Sequence, residues 1–469
     1  MKKNVVILGG GVAGLSAGYF LAKTGRYHVT VLEQQPVCGG LCASFRHGDF
    51  LLDYGPHKLY STDTELMNEM QQVMGDELLQ VRKKNSILLR GHFLNYPIKM
   101  TDIFKVLGPK TFFTLGWGYA VSILKNIFSP RSEASYAEYM KRVFGEPAYR
   151  LIFESLADKV WGDPHHLHND IARTRLPAKN AGEVIFKMLG LKKETQDTNA
   201  EFYFYPKGGF GQFSLALKSA IEKNQAKVIT QAQVQRLVRE DGRVTAVEGL
   251  VEGQSRIWPC DLLISTIPLK SLTELIFSCG VQKTPVADLQ YRHLALVFIF
   301  VRRSRVLEDQ WIFVPEREYI FSRISDAAEI DASLAPQGQR AICCDMTYQE
   351  GDTIGRMSDD DLARRCAEDL IKCGLIRPEE VGGVLVKRFE DFYPRYDLSY
   401  KNKMEKVFAL FHQAPNVLLS GRIGMYNYNN VDHCFDMGRF LTRELIAGRE
   451  VPQIQADLRS RVEGYRIVD

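Results

Sequence analysis

The sequence predicts an α/β protein in which a parallel, dinucleotide-binding sheet is interrupted by an inserted domain of mixed α+β character. Three observations predict it: a strand, turn, helix and strand at the amino terminus, a strand leading into a helix at the carboxyl terminus, and a strand between them that returns to the first sheet. The chain has 469 residues. Single cores seldom grow beyond about 250 residues, so more than one domain is expected.

The opening unit runs from Val5 to Glu33. Four residues suited to a buried strand, Val5 to Leu8, lead into Gly9, Gly11 and Gly14, spaced as G-x-G-x-x-G. An Ala/Leu/Gly-rich helical stretch and a second strand come next, closed by Glu33, 19 residues beyond Gly14. Gly9 permits the tight turn, Gly11 lets backbone approach a pyrophosphate, and Gly14 allows close helix packing. Amides at Val12 and Ala13 open the helix and face the anion, and Glu33 accepts hydrogen bonds from ribose hydroxyls. The motif alone does not separate flavin from nicotinamide dinucleotides.

Between the termini, the stretch from Ala226 to Gly249 reads as two strands joined by an Asp241-Gly242 hairpin, and Cys260 to Leu269 as the strand that returns to the sheet. The carboxyl-terminal stretch reads as a strand from Asn416 to Leu419, then Gly421-Arg422, then a helix starting near Asn430. Residues 133–162 carry apolar positions at three- and four-residue spacing and read as helical. The stretches "LALVFIFVRR" and "RAICCDMTY" read as strands.

Composition narrows the class. Hydrophobic residues make up 45% and charged residues 25%, which excludes disordered and fibrous chains. A net charge of +4 is too small to indicate nucleic acid, which needs a clustered basic face. The nine cysteines form no CxxC pair and the sequence offers no metal site or disulfide framework, a pattern that suits a reducing cytoplasm. The amino terminus does not read as an export signal, because glycines break its apolar run. Thr111 to Leu124 is the most apolar later stretch. It is too short to span a bilayer, which takes about 20 residues. It reads as a core helix in preference to an interfacial membrane anchor.

Beyond Glu33 the chain carries a family resemblance. A second glycine pair, Gly39-Gly40, and a segment Asp53-Tyr54-Gly55-Pro56-His57 resemble the flavin amine oxidase superfamily. The resemblance implies non-covalent FAD in a Rossmann-like domain of the GR2 type. Gln34, Gly40 and Leu41 then lie over the diphosphate, Val234 meets adenine, and Gly421, Arg422, Asn430 and Val431 surround the flavin. The tail lacks a cysteine in the family's attachment motif, with Cys434 beyond the flavin-facing residues. The implied FAD domain comprises residues 1–80, 200–270 and 395–469, and the substrate domain 81–199 and 271–394.

Two branches of the superfamily are similar to this chain: protoporphyrinogen-oxidase-like oxidoreductases and UDP-galactopyranose mutase. The shared stretches are "GPHKLYSTD", "DKVWGDPHHLHNDIARTRLP", "FYPKGGFGQF", "DFYPRYDLSY" and "GRIGMYNYNN". By resemblance His57 sits against the isoalloxazine; a buried histidine closing a turn is the alternative. Arg175 matches a diphosphate-gripping arginine of the mutases, but the second arginine of that pattern is replaced by Lys179, which lacks the bidentate fork. Arg173, Arg175 and Arg323 are candidates to bind an anionic or nucleotide-sugar substrate. Tyr203, Tyr205, Tyr393, Tyr396, Tyr426 and Tyr428 either line the pocket or pack in the core. The expected activity is hydride transfer from a small molecule to flavin N5, with a reduced-flavin sugar mutase as the alternative.

Overall fold

Val5, Val6, Ile7 and Leu8 are all buried, as an apolar run must be when both faces of its sheet are covered. In the computed structural model, which describes residues 2–96, 98, 100–128, 135–175, 201–277 and 280–467, they lie in the central strand, Lys3–Leu8, of a parallel five-stranded sheet. On one side of it lie Tyr27–Leu32 and then Lys227–Ile229. On the other lie Leu262–Ser265 and then Val417–Leu419. One sheet is thus assembled from stretches more than 380 residues apart, and the strands expected after Cys260 and Asn416 take their places in it.

The opening helix, Val12–Lys23, is buried on nearly every side. It packs against the closing helix, Val431–Ile446, so closely that a Cβ at Gly438 would lie 2.6 Å from the backbone of Ser16. A Cβ at Gly14 would lie 1.9 Å from the carbonyl oxygen of Gly9, so any side chain there separates the helix from the turn. Beside this sheet stands a three-stranded meander of Ala232–Glu240, Arg243–Val251 and Gln254–Pro259. Asp241 and Gly242 both have positive φ, as a tight hairpin requires.

The second sheet has seven strands in the order Val381–Pro394, Tyr291–Val301, Arg340–Tyr348, Arg323–Asp326, Trp311–Phe313, Asn85–Leu89 and His92–Asn95. It is antiparallel except where Trp311–Phe313 runs parallel to Asn85–Leu89. The helix Asp359–Lys372 buries Leu362, Cys366 and Leu370 against one face, on Val297, Ile299 and Met346. Leu294 and Leu296 belong to the opposite-facing set and turn toward the first sheet's loops.

The apolar stretch from Thr111 to Leu124 departs from expectation. It forms a helix, Pro109–Phe128, but not a core helix: Phe113 is 68% and Trp117 75% exposed. Only one side, with Leu115 and Phe112, packs on neighbouring residues, and among the described residues no second layer covers the other. Periodicity showed how apolar the segment is, and topology decided that half of it faces outward.

Candidate active site

A cleft of about 1460 Å³ separates the loops of the parallel sheet from the inner face of the seven-stranded sheet. It exceeds the ~300–1,000 Å³ of a site for one small ligand, so it has room for a cofactor and a second molecule. Its lining brings together Gly9, Gly11, Val12, Ala13, Glu33, Gln34, Gly40, Leu41, His57, Val234, Gly421, Arg422, Asn430 and Val431, with Arg175 and Arg323. Gly14 stays behind this wall, packed on the turn.

The glycine turn is built for an anion. Gly11 caps the opening helix without a side-chain acceptor, and no acid sits in its first turn, so the positive end of the helix dipole is left open to a ligand anion on the cleft side. A Cβ at Gly11 would meet no protein atom closer than 3.9 Å. The fold does not require glycine there, whereas a ligand pressed on the backbone does. The Gly39-Gly40 loop lies against this turn, with the Gly39 amide donating to the Gly10 carbonyl at 2.8 Å. A Cβ at Gly421 would lie 2.7 Å from that of Ala13, which sets the closing segment against the same helix end.

Glu33 is buried, and its carboxylate accepts from the Gly10 amide at 2.6 Å and the Gln35 amide at 2.8 Å. Those two bonds fix its orientation and leave further lone pairs open toward the cleft. Val234 lies where the meander ladder slips register, between Val234 and Arg236.

Asp53 organises the segment that leads to His57. That buried carboxylate accepts from the Ser44 hydroxyl at 2.5 Å, from the Phe210 amide at 3.1 Å and from the Tyr205 hydroxyl, so it pins the hairpin Ser44–His47 with Phe50–Asp53 to the glycine-rich turn at Gly208 to Gly211. The histidine ring packs 5.1 Å from that of Phe210, and its Nε2 is buried without a protein partner among the described residues. Burial first, then the positive charges of Arg422 and Arg323, pull its pKa down to about 4. It is a neutral imidazole at pH 7.

The arginines are differently equipped. Arg323 donates through Nε to Asp345 Oδ2 at 2.7 Å and through Nη2 to the same oxygen, so its charge is already matched. Arg173 is not in the cleft and lies over the ring of Tyr139, 5.6 Å from its centroid. Arg175 is held between the rings of Trp161 and Tyr428, at 4.7 and 5.1 Å, and no carboxylate pairs with it among the described residues. Leu176 to Lys179, and with them the lysine substitution, lie outside the described residues.

The structure decides between the two readings of the tyrosines and corrects the one for Cys434. Of the six tyrosines only Tyr393 lines the cleft. Tyr396 donates to Asn427 Oδ1 at 2.9 Å, Tyr426 to the Arg395 carbonyl at 2.8 Å and Tyr428 to the Pro394 carbonyl at 2.5 Å. Tyr203 and Tyr205 are buried in the strand Phe202–Pro206. The tyrosines clamp the tail to the 394–396 segment, because a buried phenol must find an acceptor and loop carbonyls supply it. Cys434, conversely, does line the cleft; its thiol donates to Asn429 Oδ1 at 3.4 Å and burial raises its pKa to about 11.

Sequence reasoning missed Trp161, Asp345 and Asp53's triple acceptor role. Asp345 comes directly after the apolar run Ala341 to Cys344 in the strand Arg340–Tyr348, and the only acid in that strand was the available signal. Arg422 bridges back to the Asn429 carbonyl at 3.2 Å, fixing the loop that enters the closing helix.

Comparison with known proteins agrees with this architecture. Residues 12–429 match the family model of flavin containing amine oxidoreductases. The chain is 19% identical over 480 residues to coproporphyrinogen III oxidase of Bacillus subtilis (strain 168), covering 93% of this chain and 97% of that protein. It is 26% identical over 321 residues to phytoene dehydrogenase of Streptomyces griseus, covering 62% and 58%. The crystal structure of reduced UDP-galactopyranose mutase superposes with a TM-score of 0.81 at 19% identity, covering 100% of this chain and 99% of that one. A family match over so much of the length, on a fold that gathers the motif loops into one cleft, leads to one conclusion: the chain belongs to the flavin-containing amine oxidoreductase family and is a flavin-dependent enzyme.

Proposed function

We propose that the cleft holds FAD and that the enzyme removes a hydride from a small, partly anionic molecule seated near Arg175. The observation that carries this reading is the convergence, in one cleft, of the uncapped helix start at Gly11 and the second helix start at Asn430. The residues fit the cofactor. Amides at Gly11 to Ala13 receive a diphosphate, the open lone pairs of Glu33 accept ribose hydroxyls, and the backbone at Val234 meets the adenine. The helix start at Asn430 and Val431 stabilises negative charge at the pyrimidine side of the ring.

When bound, the flavin supplies a hydride acceptor at N5. The protein's part is placement and exclusion of water. Leu294, Leu296 and Phe313 provide an apolar wall. His57 offers a neutral ring with one unpartnered nitrogen, so it can hydrogen-bond without adding a second positive charge beside Arg422. Arg175, held flat by two aromatic rings, presents its edges to an anion.

Arg175, which has no carboxylate partner among the described residues, also favours a second reading, a reduced-flavin nucleotide-sugar mutase. Anaerobic mixing separates the two. If candidate substrates bleach the visible flavin band and air restores it, the oxidoreductase reading stands. Turnover of a nucleotide sugar only after chemical reduction, with no net electron flow, would replace it. Chromatography of heat-released flavin tests the cofactor, and FMN in place of FAD would refute the dinucleotide assignment.

A further inference from the structure

The helix Pro109–Phe128 and the turn before it expose Phe104, Val106, Phe113, Trp117, Ile123 and Leu124, with Leu124 57% and Phe104 47% exposed. Phe113, Trp117, Ala120 and Leu124 recur at steps of four, three and four residues. At about 100° per residue that confines them to a wedge of roughly 60°, a single outward stripe. The opposite side is firmly seated. Leu115 and Phe112 pack with Ile87, Leu94 and Ile103, and a Cβ at Gly118 would lie 2.3 Å from Pro147. The stripe is therefore held in place by a packed underside, and is not a core face left loose.

Its electrostatics are one-sided. Lys105 and Lys110 are exposed at its amino-terminal end and Lys125 at its carboxyl-terminal end, while the single acid of residues 100–128 is Asp102, which is partly buried. Among the described residues no helix is long and apolar enough to cross a membrane, so a bilayer would take this one lying in its plane. Aromatic residues on a short helix flanked by lysines suit the headgroup boundary, where ring and ammonium each find their own environment. A second copy of the chain is the weaker occupant, because pairing two such faces sets lysine against lysine.

We propose that this stripe docks on the surface of an anionic phospholipid bilayer, with Phe113, Trp117 and Leu124 inserted below the headgroups and the three lysines on phosphate. The apolar cluster beneath the helix shares Ile87, Ile152 and Phe313 with the lining of the cleft. Docking would thus hold the cleft wall one side-chain layer from the lipid. The proposal stands independently of which reaction the enzyme carries out.

The test is flotation of the full-length, flavin-loaded protein with vesicles of phosphatidylcholine alone or mixed equally with phosphatidylglycerol. The expected result is flotation with the mixed vesicles at low salt, weaker flotation with the neutral ones, and about a tenfold lower partition coefficient for Phe113→Ser/Trp117→Ser/Leu124→Ser. Bound-flavin absorbance and circular dichroism should be unchanged in that variant, since the replaced side chains are exposed. Lys105→Glu/Lys110→Glu/Lys125→Glu should abolish the preference for the mixed vesicles. Wild-type protein that stays at the bottom of the gradient, or a serine variant that floats equally well, would overturn the proposal. So would a wild-type dimer, indifferent to vesicles, that the serine variant converts to monomer.

Discussion

At the scale of single residues, the second and third glycines of the opening motif do different work, although one spacing pattern covers both. Gly14 has no room for a Cβ, and Gly11 has room that faces the cleft. Gly14→Val should therefore yield insoluble or grossly destabilised protein. Gly11→Val should fold with a near-native melting temperature yet purify colourless, and stoichiometric flavin in it would refute the placement of the diphosphate. His57 makes a second residue-level prediction. Its native pKa of about 4 lies below the ordinary 6.5, so between those values the unfolded chain binds the extra proton. Stability from this group is complete above about pH 6.5 and falls as pH drops toward 4, by about 3 kcal/mol in all. Denaturant titrations of His57→Asn across that window should show a total loss of stability smaller by that amount. For Arg175, loss of a charge-assisted contact of about 2–3 kcal/mol should raise KM by one to two orders of magnitude in Arg175→Ala, if the substrate is anionic. Arg175→Lys should recover little, because lysine cannot lie flat between Trp161 and Tyr428.

At the scale of elements, the cleft is held open by polar staples between segments that have no sequence proximity. Lys159, in the helix Glu154–Trp161 that carries Trp161, buries its ammonium against the carbonyls of Val314, Glu316 and Phe321, at 2.9, 2.8 and 2.6 Å. Burial draws its pKa down to about 7, opposed by the charges of Asp369 and Glu316. Thr347 completes the staple by donating to the Val160 carbonyl at 2.7 Å. Lys159→Met fills the space and strips three carbonyls of their donor, so it should cost about 2–4 kcal/mol. It should also raise hydrogen exchange in the Trp161 helix ahead of the parallel sheet. Equal exchange in both elements would show that the staple does not set their relation. The helix itself was legible from its apolar spacing. The staple was not, because a lysine that is surface-exposed in most helices is buried here by the loop between the strands Trp311–Phe313 and Arg323–Asp326, at least 155 residues away in sequence.

At the scale of the whole molecule, the parallel sheet draws strands from residues 3–32, 227–265 and 417–419, so a ligand lying across its loops ties together the two ends of the chain. Binding the native state alone should then stabilise the whole fold by about 2.7 kcal/mol at a flavin concentration about one hundred times Kd. Calorimetry of flavin-stripped protein with and without added FAD measures this directly. A melting temperature indifferent to FAD would show that the cleft does not hold the dinucleotide.

What the sequence determined by itself is local: the glycine turn, the strands on either side, the hairpin at Asp241-Gly242 and the start of the closing helix near Asn430. Each depends on backbone demands that neighbouring residues alone impose, such as positive φ, helix capping and alternating burial. Only the tertiary structure decided which side chains share a space. It chose core packing over cleft lining for five of the six tyrosines, neutralised Arg323 with Asp345 while leaving Arg175 without a carboxylate among the described residues, and turned the most apolar helix outward. Burial and charge pairing are sums over neighbours brought together by the fold, and such sums cannot be taken along the chain.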